Sequence, residues 1–579
     1  MSKNDEVADT LEAFADLLEA QGVEYKPRAY RDAAENVRDL SVAIERVVAD
    51  GQDAVSEIDA VGDAISAKIV EYIETGEIEE LEALRAELPV EMEALTRVEG
   101  VGPKTVGKLY DELGVQTLSD LESAAEAGEI QKVKGFGTKT EQNILDGIPF
   151  AREAHERQLL ARALPRGERV VDFLGELKSV QTVELAGSIR RRKPTIGDVD
   201  VLVGSVVPEA VVDAFTAWDE LDRIIEAGSG KASVRFEDVR VDLRVVDPEE
   251  FGAALQYFTG SKSHNVAVRN RAIDHELKVN EYGVFDVSDV DDPDAGQRVG
   301  KLVASVDEPA VYNALDMAWV PPELRENRGE VEAAAADALP DLLDHNAIRG
   351  DLHTHTTWSD GAATVREMAD AATEFGHEYL ALTDHATGPG MVGGVGLDDA
   401  TLRDQLHEIH DLRSEVEISL FAGVEANISA DGEISVGDDL LSELDIVVAS
   451  PHSALDGDGT DRLVSAAKHP DVDIIGHPTG RQLNRRAGMT VDIERLAGVA
   501  ADHGTALEIN AHPRRLDLRG RAVQTAIDAG ATIVINTDAH ATASFGHMRF
   551  GVDTARRGWA ENENVLNTRS VEELREFLE

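Results

Sequence analysis

The stretch GSIRRRKPTIGDVDV, residues 187–201, decides the fold of the middle of the chain. Asp198 and Asp200 stand two positions apart in an alternating run, so both carboxylates project from one face of a β-strand. A second alternating run, VRVDL, residues 239–243, offers Asp242. Three converging carboxylates would hold two divalent cations, which clamp the oxygens of a phosphoryl transfer. The alternative is an exposed strand with solvated Asp side chains, which a lone Asp-x-Asp pair would favour.

The residues before this pair favour the first interpretation. Gly187 and Ser188 form a small-residue turn, and three consecutive arginines follow at 190–192. A turn of this kind with basic side chains, about ten residues before the carboxylates, fits a triphosphate cradle beside the metals. The interpretation predicts a nucleotide-binding centre on a mixed β-sheet.

A repeated motif precedes the sheet. The segments AVGDAISAKI (60–69), EGVGPKTVGKL (99–109) and KGFGTKTEQNI (134–144) each have a glycine-containing turn that opens a helix. The N–H groups at such a helix start can hold a phosphate oxygen. The three segments resemble helix-hairpin-helix motifs, which grip a nucleic-acid backbone, and the first departs from the pattern, with Ala64 where a second glycine is expected. The residues predicted to contact DNA are Gly100, Gly102, Lys104, Gly135, Gly137 and Lys139.

Residues 1–320 resemble family X DNA polymerases, the DNA polymerase beta group. The Gly-Ser and Gly-Asp-x-Asp pattern is that of the nucleotidyltransferase superfamily, and YFTGS (257–261), with Asn265, Arg269 and NEY (280–282), resembles the family's thumb. The resemblance implies that Asp198, Asp200 and Asp242 are catalytic carboxylates holding Mg²⁺ or Mn²⁺. It implies deoxynucleoside triphosphates and gapped or nicked double-stranded DNA as substrates. The implied nucleotide-binding residues are Gly187, Ser188, Arg191, Gly197, Tyr257, Phe258, Gly260, Asn265 and Arg269.

Two residues depart from the family's pattern, and two others point to a further activity, that of a deoxyribose-phosphate lyase. Ile196 and Lys262 stand where the family has a phosphate-binding serine and an acidic residue, which affects nucleotide contacts rather than the reaction. Lys68 and Tyr30 lie where the family places a Schiff-base lysine and its phosphate-pocket tyrosine. The alternative is that Lys68 is a plain surface lysine.

The C-terminal region contains apolar runs that end in potential metal ligands. In a βα barrel the carboxyl ends of the strands converge on one mouth, so a series of such endings predicts a metal site. The order HxH, TDH, GVE, PH, GHP, DAH resembles the polymerase and histidinol phosphatase (PHP) domain, which implies a seven-stranded barrel with up to three ions of Mn²⁺, Zn²⁺ or Fe²⁺. The ligands that the resemblance implies are His353, His355, Asp360, His385, Glu425, His452, His477, Asp538 and His540.

The amino-acid composition limits the kinds of ligand and environment that the chain can have. With 56 basic and 112 acidic residues the formal net charge is −56, which resembles proteins of salt-accumulating halophiles. Four windows nearly free of acid, at 131–140, 187–197, 478–490 and 511–521, stand out as candidate anion-binding faces. The chain has no cysteine, so any metal must be held by His, Asp or Glu. The absence of a signal peptide and of a membrane-length apolar run predicts a cytoplasmic protein without membrane contact, and a monomer is expected.

The predicted fold is multidomain α+β. It comprises helical helix-hairpin-helix domains at the N-terminus, a nucleotidyltransferase palm with a mixed β-sheet, an α/β thumb and a distorted seven-stranded PHP barrel. The expected ranges are 1–82 (lyase-like), 83–150 (fingers-type), 151–250 (palm), 251–325 (thumb), 326–345 (linker) and 346–579 (PHP).

Three functions are weighed. The first is a gap-filling repair polymerase whose PHP domain processes 3′ ends as an exonuclease, with abasic-site cleavage as a variant. The second is a DNA-binding PHP nuclease or phosphatase with weak or lost synthesis, which the three Asp residues disfavour. The third, a template-independent nucleotidyltransferase joined to a small-molecule phosphatase, is disfavoured by the helix-hairpin-helix motifs.

Overall fold

The computed structural model describes residues 3–38, 44–49, 51–56, 58, 60–98, 100–155, 157–388 and 395–579. Its N-terminal part is helical. Leu11, Phe14 and Leu18 lie at helical spacing on one face of the first helix and are buried in the core of this part. The helices are α1 (Lys3–Ala20), α2 (Lys26–Arg38), α3 (Ile44–Ala49), α4 (Gln52–Ser56), α5 (Asp63–Thr75), α6 (Glu79–Glu87), α7 (Met92–Thr96), α8 (Pro103–Leu113), α9 (Leu118–Glu126) and α10 (Thr138–His155).

A five-stranded sheet follows in the order β2-β4-β7-β6-β5, in which β4 and β7 are parallel and the other neighbours antiparallel. Val199, Val201 and Val203 point into the core beneath the sheet, which leaves the alternate positions of β4 on the opposite face. The elements are β1 (Gln158–Leu159), α11 (Leu160–Gly175), β2 (Thr182–Leu185), α12 (Gly187–Arg190), β3 (Thr195–Ile196), β4 (Val199–Gly204), α13 (Pro208–Thr216), β5 (Arg223–Ala227), β6 (Lys231–Phe236) and β7 (Val239–Val246).

The next part combines helices with a three-stranded antiparallel sheet in the order β10-β9-β8. Its elements are α14 (Phe251–Thr259), α15 (Lys262–Asp274), β8 (Leu277–Asn280), β9 (Gly283–Asp286), β10 (Lys301–Ala304), α16 (Glu308–Asn313) and α17 (Glu330–Ala335). Part of the segment predicted to be a linker, residues 326–345, packs against this part of the chain. Val331 and Ala334 of α17 belong to the core of this part, and buried Glu330 contacts the ring of His264 at 2.6 Å.

The C-terminal part is a parallel sheet of seven strands in sequence order. The first and last strands of this sheet approach each other. A parallel bridge joins Thr354, which follows β11, to Ala539, which follows β17, so the sheet nearly closes into a barrel. The elements are β11 (Gly350–Asp351), α18 (Val365–Phe375), β12 (Tyr379–Leu382), α19 (Asp399–Leu412), β13 (Ser419–Asn427), α20 (Asp438–Leu441), β14 (Ile446–Ser450), α21 (Thr460–Ala466), β15 (Ile474–Ile475), α22 (Ile493–His503), β16 (Ala506–Asn510), α23 (Gly520–Asp528), β17 (Ile533–Asn536), α24 (Met548–Arg557) and α25 (Val571–Leu578).

The barrel packs directly against the five-stranded sheet. Leu516 and Phe550 of the barrel part are members of the same apolar cluster as the core of that sheet. Arg556 of α24 also contacts Glu323, with 2.8 Å between Nε and Oε1. None of the described helices has an apolar stretch of the length needed to cross a membrane. The multidomain α+β fold is therefore as predicted.

Buried His377 makes the stability of the barrel part sensitive to acid. Burial lowers its pKa from 6.5 to about 4, so protonation is favoured in the unfolded chain, and the folded state loses stability as pH falls from about 6.5 towards 4. The ring of His377 lies between those of Phe375 and Phe545, so a phenylalanine fits at this position. Between pH 7.5 and pH 5, we expect the free energy of unfolding to fall by about 2 kcal/mol less in His377→Phe than in the wild type. Thermal unfolding of the wild type and the variant at both pH values measures it. His410→Phe, which replaces an exposed histidine, is the control. An equal change of melting temperature between the two pH values in all three proteins would contradict the conclusion that His377 causes the acid sensitivity.

Candidate active sites

The three glycine-containing turns have the same backbone geometry. Gly62 and Gly102 cap the following helix in an extended conformation, and Gly137 immediately precedes helix α10. In all three turns the position two residues earlier has positive φ: Ala60 at 57°, Gly100 at 80° and Gly135 at 97°. The first repeat therefore departs at Ala60, which occupies the left-handed position, and not at Ala64 as expected. No side chain or backbone lies within 4 Å of the Cβ position of Gly100, Gly102 or Gly137, so the helix starts are accessible. Lys104 and Lys139 are exposed beside them.

The three palm carboxylates come together. Asp200 on β4 stands directly opposite Asp242 on the parallel strand β7, and Asp198 lies two residues before Asp200. Their oxygens lie within 4.8 Å of one another. Burial, Asp198 and Asp242 raise the pKa of Asp200 to about 7, because burial and the two neighbouring carboxylates disfavour a negative charge. Oxygen ligands at this spacing fit Mg²⁺ or Mn²⁺.

Gly187 must be glycine for this arrangement. Its φ is +58°, and a Cβ at this position would lie 1.8 Å from Asp200 Oδ2. The start of α12 therefore packs against the carboxylate itself. Ser188 follows on the same turn, and Gly197 precedes the first carboxylate, with Arg157 Nη1 3.4 Å from its Cβ position.

We expect Gly187→Ala to lower the rate of primer extension about a hundredfold, because an extra methyl group displaces Asp200, and misplacing a catalytic group by about 1 Å costs that much. Single-turnover extension of a primer on gapped DNA measures it. Gly175→Ala is the matched control, since its Cβ would meet Val183 Cγ1 at an ordinary 3.7 Å. Full extension by Gly187→Ala would show that the carboxylate tolerates displacement.

Arg191 does not face the carboxylates freely, as a triphosphate ligand would. It is buried, and it donates to Glu326 Oε1 at 3.0 Å and to the carbonyl of Thr259 at 2.8 Å. Arg190 likewise donates to Glu308 and to the hydroxyl of Thr259. The first two arginines of the window at 187–197 therefore hold the palm to the thumb in this structure.

The thumb residues form a tight turn after α14. Asn265 Nδ2 donates to the carbonyl of Tyr257 at 2.7 Å, and a Cβ on Gly260 would lie 2.2 Å from Asn265 Oδ1. In this structure the amide of Asn265, which is predicted to bind the nucleotide, thus ties the turn together. Tyr257 and Phe258 contact each other edge to face, and Arg269 is exposed on α15.

Lys68 and Tyr30 lie close together in the N-terminal helices. Lys68 Nζ is 2.7 Å from Glu80 Oε2. Burial acts to lower the pKa of Lys68, but Glu80 and Tyr30 outweigh it and raise the pKa above 10.5. A Schiff-base lysine needs an uncharged amine, so this environment argues against lyase chemistry.

The barrel mouth collects all nine predicted PHP residues. Glu425 on β13 lies at the centre: its oxygens are 2.6 Å from His385 Nδ1, 3.0 Å from His477 Nε2 and 3.2 Å from His452 Nε2. His355 Nε2 is 3.1 Å from Asp538 Oδ1. Asp360 Oδ1 approaches His540 Nε2 at 3.4 Å. Three overlapping groups have the spacing of metal ligands: His355, Asp360, His385 and His540; His353, His355 and Glu425; and His385, Glu425 and His452.

Several polar atoms at the mouth are buried and make no hydrogen bond of acceptable geometry among the described residues, although some of them lie within ion-pair distance of a carboxylate. They are His353 Nε2, His355 Nδ1 and Nε2, His385 Nδ1, Glu425 Oε2, His452 Nε2 and His477 Nδ1. Leaving so many buried polar atoms unsatisfied is costly unless a ligand completes them. Imidazole and carboxylate donors fit Mn²⁺, Zn²⁺ or Fe²⁺.

The backbone conformation and the protonation of side chains at the mouth also fit metal binding. His477 and Asp538 have positive φ, 24° and 54°, a conformation uncommon outside glycine and frequent at functional sites. Burial and the neighbouring His540 and His385 lower the pKa of His355 to about 3, which leaves its ring neutral and able to bind a metal at neutral pH.

Glu508 is a site residue that the sequence interpretation did not assign. It lies on β16, fully buried, with Oε1 2.8 Å from His353 Nδ1 and Oε2 accepting the His477 N–H at 2.6 Å. Carboxylates in this position orient ligand histidines. The signal was present in the run LEIN, residues 507–510, which ends like the other ligand-bearing strands.

Fold and sites together define a chain with two centres: a palm of nucleotidyltransferase type behind DNA-gripping helical hairpins, and a PHP-type metal centre. Family models match in the same order. Residues 2–78 match a helix-hairpin-helix domain, 92–148 a SAM-like helix-hairpin-helix tandem, 254–326 the DNA polymerase beta thumb and 351–512 the PHP domain.

The full chain is 36% identical over 586 residues to the DNA polymerase/3′-5′ exonuclease PolX of Bacillus subtilis (strain 168), covering 100% of this chain and 99% of that protein. The chain belongs to the family X DNA polymerases that carry a PHP domain. A probable phosphatase of Thermoanaerobacter sp. (strain X514) is 30% identical over 243 residues, 39% of this chain and 93% of the phosphatase. A probable phosphatase of Shewanella piezotolerans is 32% identical over 241 residues, 39% of this chain and 92% of its own length.

Proposed function

We propose that the chain is a DNA-directed DNA polymerase that fills short gaps during DNA repair, and that its PHP domain is a 3′-5′ exonuclease. The observation that carries the proposal is the presence of two separate ligand clusters, one of three palm carboxylates and one at the barrel mouth. The B. subtilis relative, whose name gives both activities, is similar to the chain over its whole length.

At the palm, Asp198, Asp200 and Asp242 would hold Mg²⁺ or Mn²⁺, which supply charge for nucleotidyl transfer. Asp242 would accept the proton of the primer 3′-hydroxyl, and the turn at Gly187 and Ser188 with Gly197 would bind the triphosphate. The geometry at Arg191 supports a role in holding the thumb, through Glu326 and Thr259, rather than direct triphosphate contact. Tyr257, Phe258 and Gly260 would pack against the nucleotide sugar, and exposed Arg269 would contact the template.

At the PHP centre, the nine mouth residues would hold up to three ions of Mn²⁺, Zn²⁺ or Fe²⁺, which supply the Lewis acid for phosphoester hydrolysis. His353 is oriented by Glu508 at 2.8 Å, and His452 by Asn427 at 2.7 Å. Arg515, whose Nε is 3.5 Å from Asp538 Oδ2, would face the phosphate of the substrate.

The substrates would be gapped or nicked double-stranded DNA and deoxynucleoside triphosphates. Gly100, Gly102 and Lys104, with their counterparts in the next repeat, Gly135, Gly137 and Lys139, would grip the DNA backbone. We also propose that the protein works as a monomer in the cytoplasm of a salt-accumulating organism, which the net charge of −56 supports.

The test measures two products from one substrate. A gapped duplex with a 5′-labelled primer is incubated with and without deoxynucleoside triphosphates, in concentrated potassium salt with Mg²⁺ or Mn²⁺. We expect extension in the first case and stepwise shortening in the second. A protein that shortens the primer but never extends it would favour the second candidate, a PHP nuclease with lost synthesis.

A further inference from the structure

A carboxylate of the N-terminal helix lies among arginines of the PHP domain. Glu12 on α1 is 2.7 Å from Arg485 Nη2 through Oε2 and 3.2 Å from Arg514 Nη2 through Oε1. Arg38, from the same helical domain as Glu12, adds a third contact at 3.1 Å. Three guanidinium groups thus converge on one pair of oxygens. Burial would raise the pKa of Glu12, but Arg514, Arg38 and Arg485 lower it to about 2.

The two PHP arginines lie in the loops that follow the barrel strands β15 and β16. Arg514 and Arg515 occupy the turn after β16, and Arg515 reaches Asp538. Arg485 lies in the acid-free window at 478–490, and Asn484, beside it, donates to the carbonyl of Arg157 at 2.8 Å. In a chain with a net charge of −56, an acid-free surface next to a phosphoester-cleaving centre is suited to an anionic substrate.

We propose that Arg485 and Arg514 form a binding subsite for a DNA backbone phosphate at the PHP mouth, and that Glu12 occupies this subsite in the present conformation. Helix α1 and DNA then compete for the same two guanidinium groups. A carboxylate and a phosphodiester both present anionic oxygens to the arginine fork, so one can replace the other. The proposal rests on the proposed nuclease function.

The surrounding contacts indicate how the helix would leave. Arg38 pairs with Glu12 and Asp9 and belongs to the N-terminal domain, so it moves away together with α1. Between α1 and the palm, Arg162 and Asp9 make a pair at 3.3 Å between partly exposed side chains. Exposed ion pairs contribute little to stability and are screened by salt, so DNA can displace this contact.

The first experiment removes the competitor. We expect Glu12→Gln to lower the KM of exonuclease digestion about fivefold without changing kcat, which corresponds to the lower end of typical coupling between sites. Fluorescence anisotropy of labelled single-stranded DNA, with EDTA present, should show tighter binding by the same factor. Glu19→Gln is the matched control, because Glu19 lies on the same helix and pairs with Arg31 of its own domain at 2.6 Å.

The second experiment separates a phosphate subsite from a mere anchor for α1. We expect Arg485→Gln to raise the KM, and the double variant Glu12→Gln/Arg485→Gln to keep that raised KM. If Arg485 only anchors the helix, Arg485→Gln will instead lower the KM as Glu12→Gln does, which overturns the proposal. An unchanged KM in both single variants overturns it as well.

Failure of the proposed function is recognised separately. A wild-type protein that shortens no DNA under any metal condition refutes the nuclease function. The metal-free anisotropy measurement still reports whether Glu12 excludes DNA, and equal affinities of the wild type, Glu12→Gln and Arg485→Gln would then refute the subsite. Primer extension by every variant verifies that the chain is folded.

Discussion

Asp200→Ala is expected to lower primer extension at least about a thousandfold, while shortening of the same primer by the PHP centre continues at the wild-type rate. The substitution removes one of three oxygen ligands that lie within 4.8 Å of one another. A bound metal stabilises the transition state by several kcal/mol, and each 1.36 kcal/mol of lost stabilisation lowers the rate about tenfold. Asp200 stands opposite Asp242 across parallel strands, so its removal leaves two of the three carboxylates in place.

The variant should remain folded. The raised pKa of Asp200, about 7, shows that its ionised form is unfavourable in the folded chain without metal, so removing the carboxylate relieves repulsion. Asp200→Asn, which keeps the shape, serves as a second variant, and Asp213→Ala on the exposed face of α13 is the control. Loss of both extension and shortening in a folded Asp200→Ala protein would refute two independent centres.

The palm carboxylates could be predicted because side chains alternate along a strand, and this rule needs no tertiary information. Asp198 and Asp200 had to share a face once the strand was recognised. The parallel register that places Asp242 opposite Asp200 is a property of the folded sheet, and sequence supplied only the alternation around it. The metal site of the barrel could be predicted for a similar reason, because strand ends in a parallel barrel meet at one mouth, whereas the nine individual ligands followed from the resemblance to the PHP domain.

The contacts that the sequence does not reveal join residues distant along the chain. Arg191 is predicted to bind the triphosphate, and its contact with Glu326, 135 positions further on, is visible only in the fold. The Ala-rich segment around Val331 has a linker's composition, yet the thumb core covers it. Glu508 ends a strand as the predicted ligands do, and only the fold shows that its carboxylate contacts His353 and so orients a ligand histidine.

Domain packing changes the meaning of the acid-free windows. The arginines at 190–192 contact thumb and PHP carboxylates, since Arg192 lies 3.6 Å from Asp553, and Arg485 contacts Glu12. Cations on these windows therefore join domains in the folded chain, and salt weakens such contacts where they are exposed.

His355→Ala is expected to abolish primer shortening, again by at least about a thousandfold, and to leave extension on gapped DNA unchanged. His355 belongs to two of the three overlapping ligand groups, and its Nε2 lies 3.1 Å from Asp538 Oδ1 and 3.7 Å from Glu425 Oε2. Its loss therefore weakens two metal positions together, whereas removal of a residue that belongs to one group, such as Asp360, weakens one. Elemental analysis after dialysis should show less bound metal per chain than in the wild type.

The control is His503→Ala, which alters an exposed histidine at the end of α22 and should retain both activities and the full metal content. His355→Ala that binds less metal and still shortens DNA at the wild-type rate would place the nuclease outside the barrel mouth. A folded variant that loses extension as well would mean that the PHP metals support the polymerase. Since the barrel and palm share an apolar core through Leu516 and Phe550, a melting temperature equal to that of the wild type is needed to separate these outcomes.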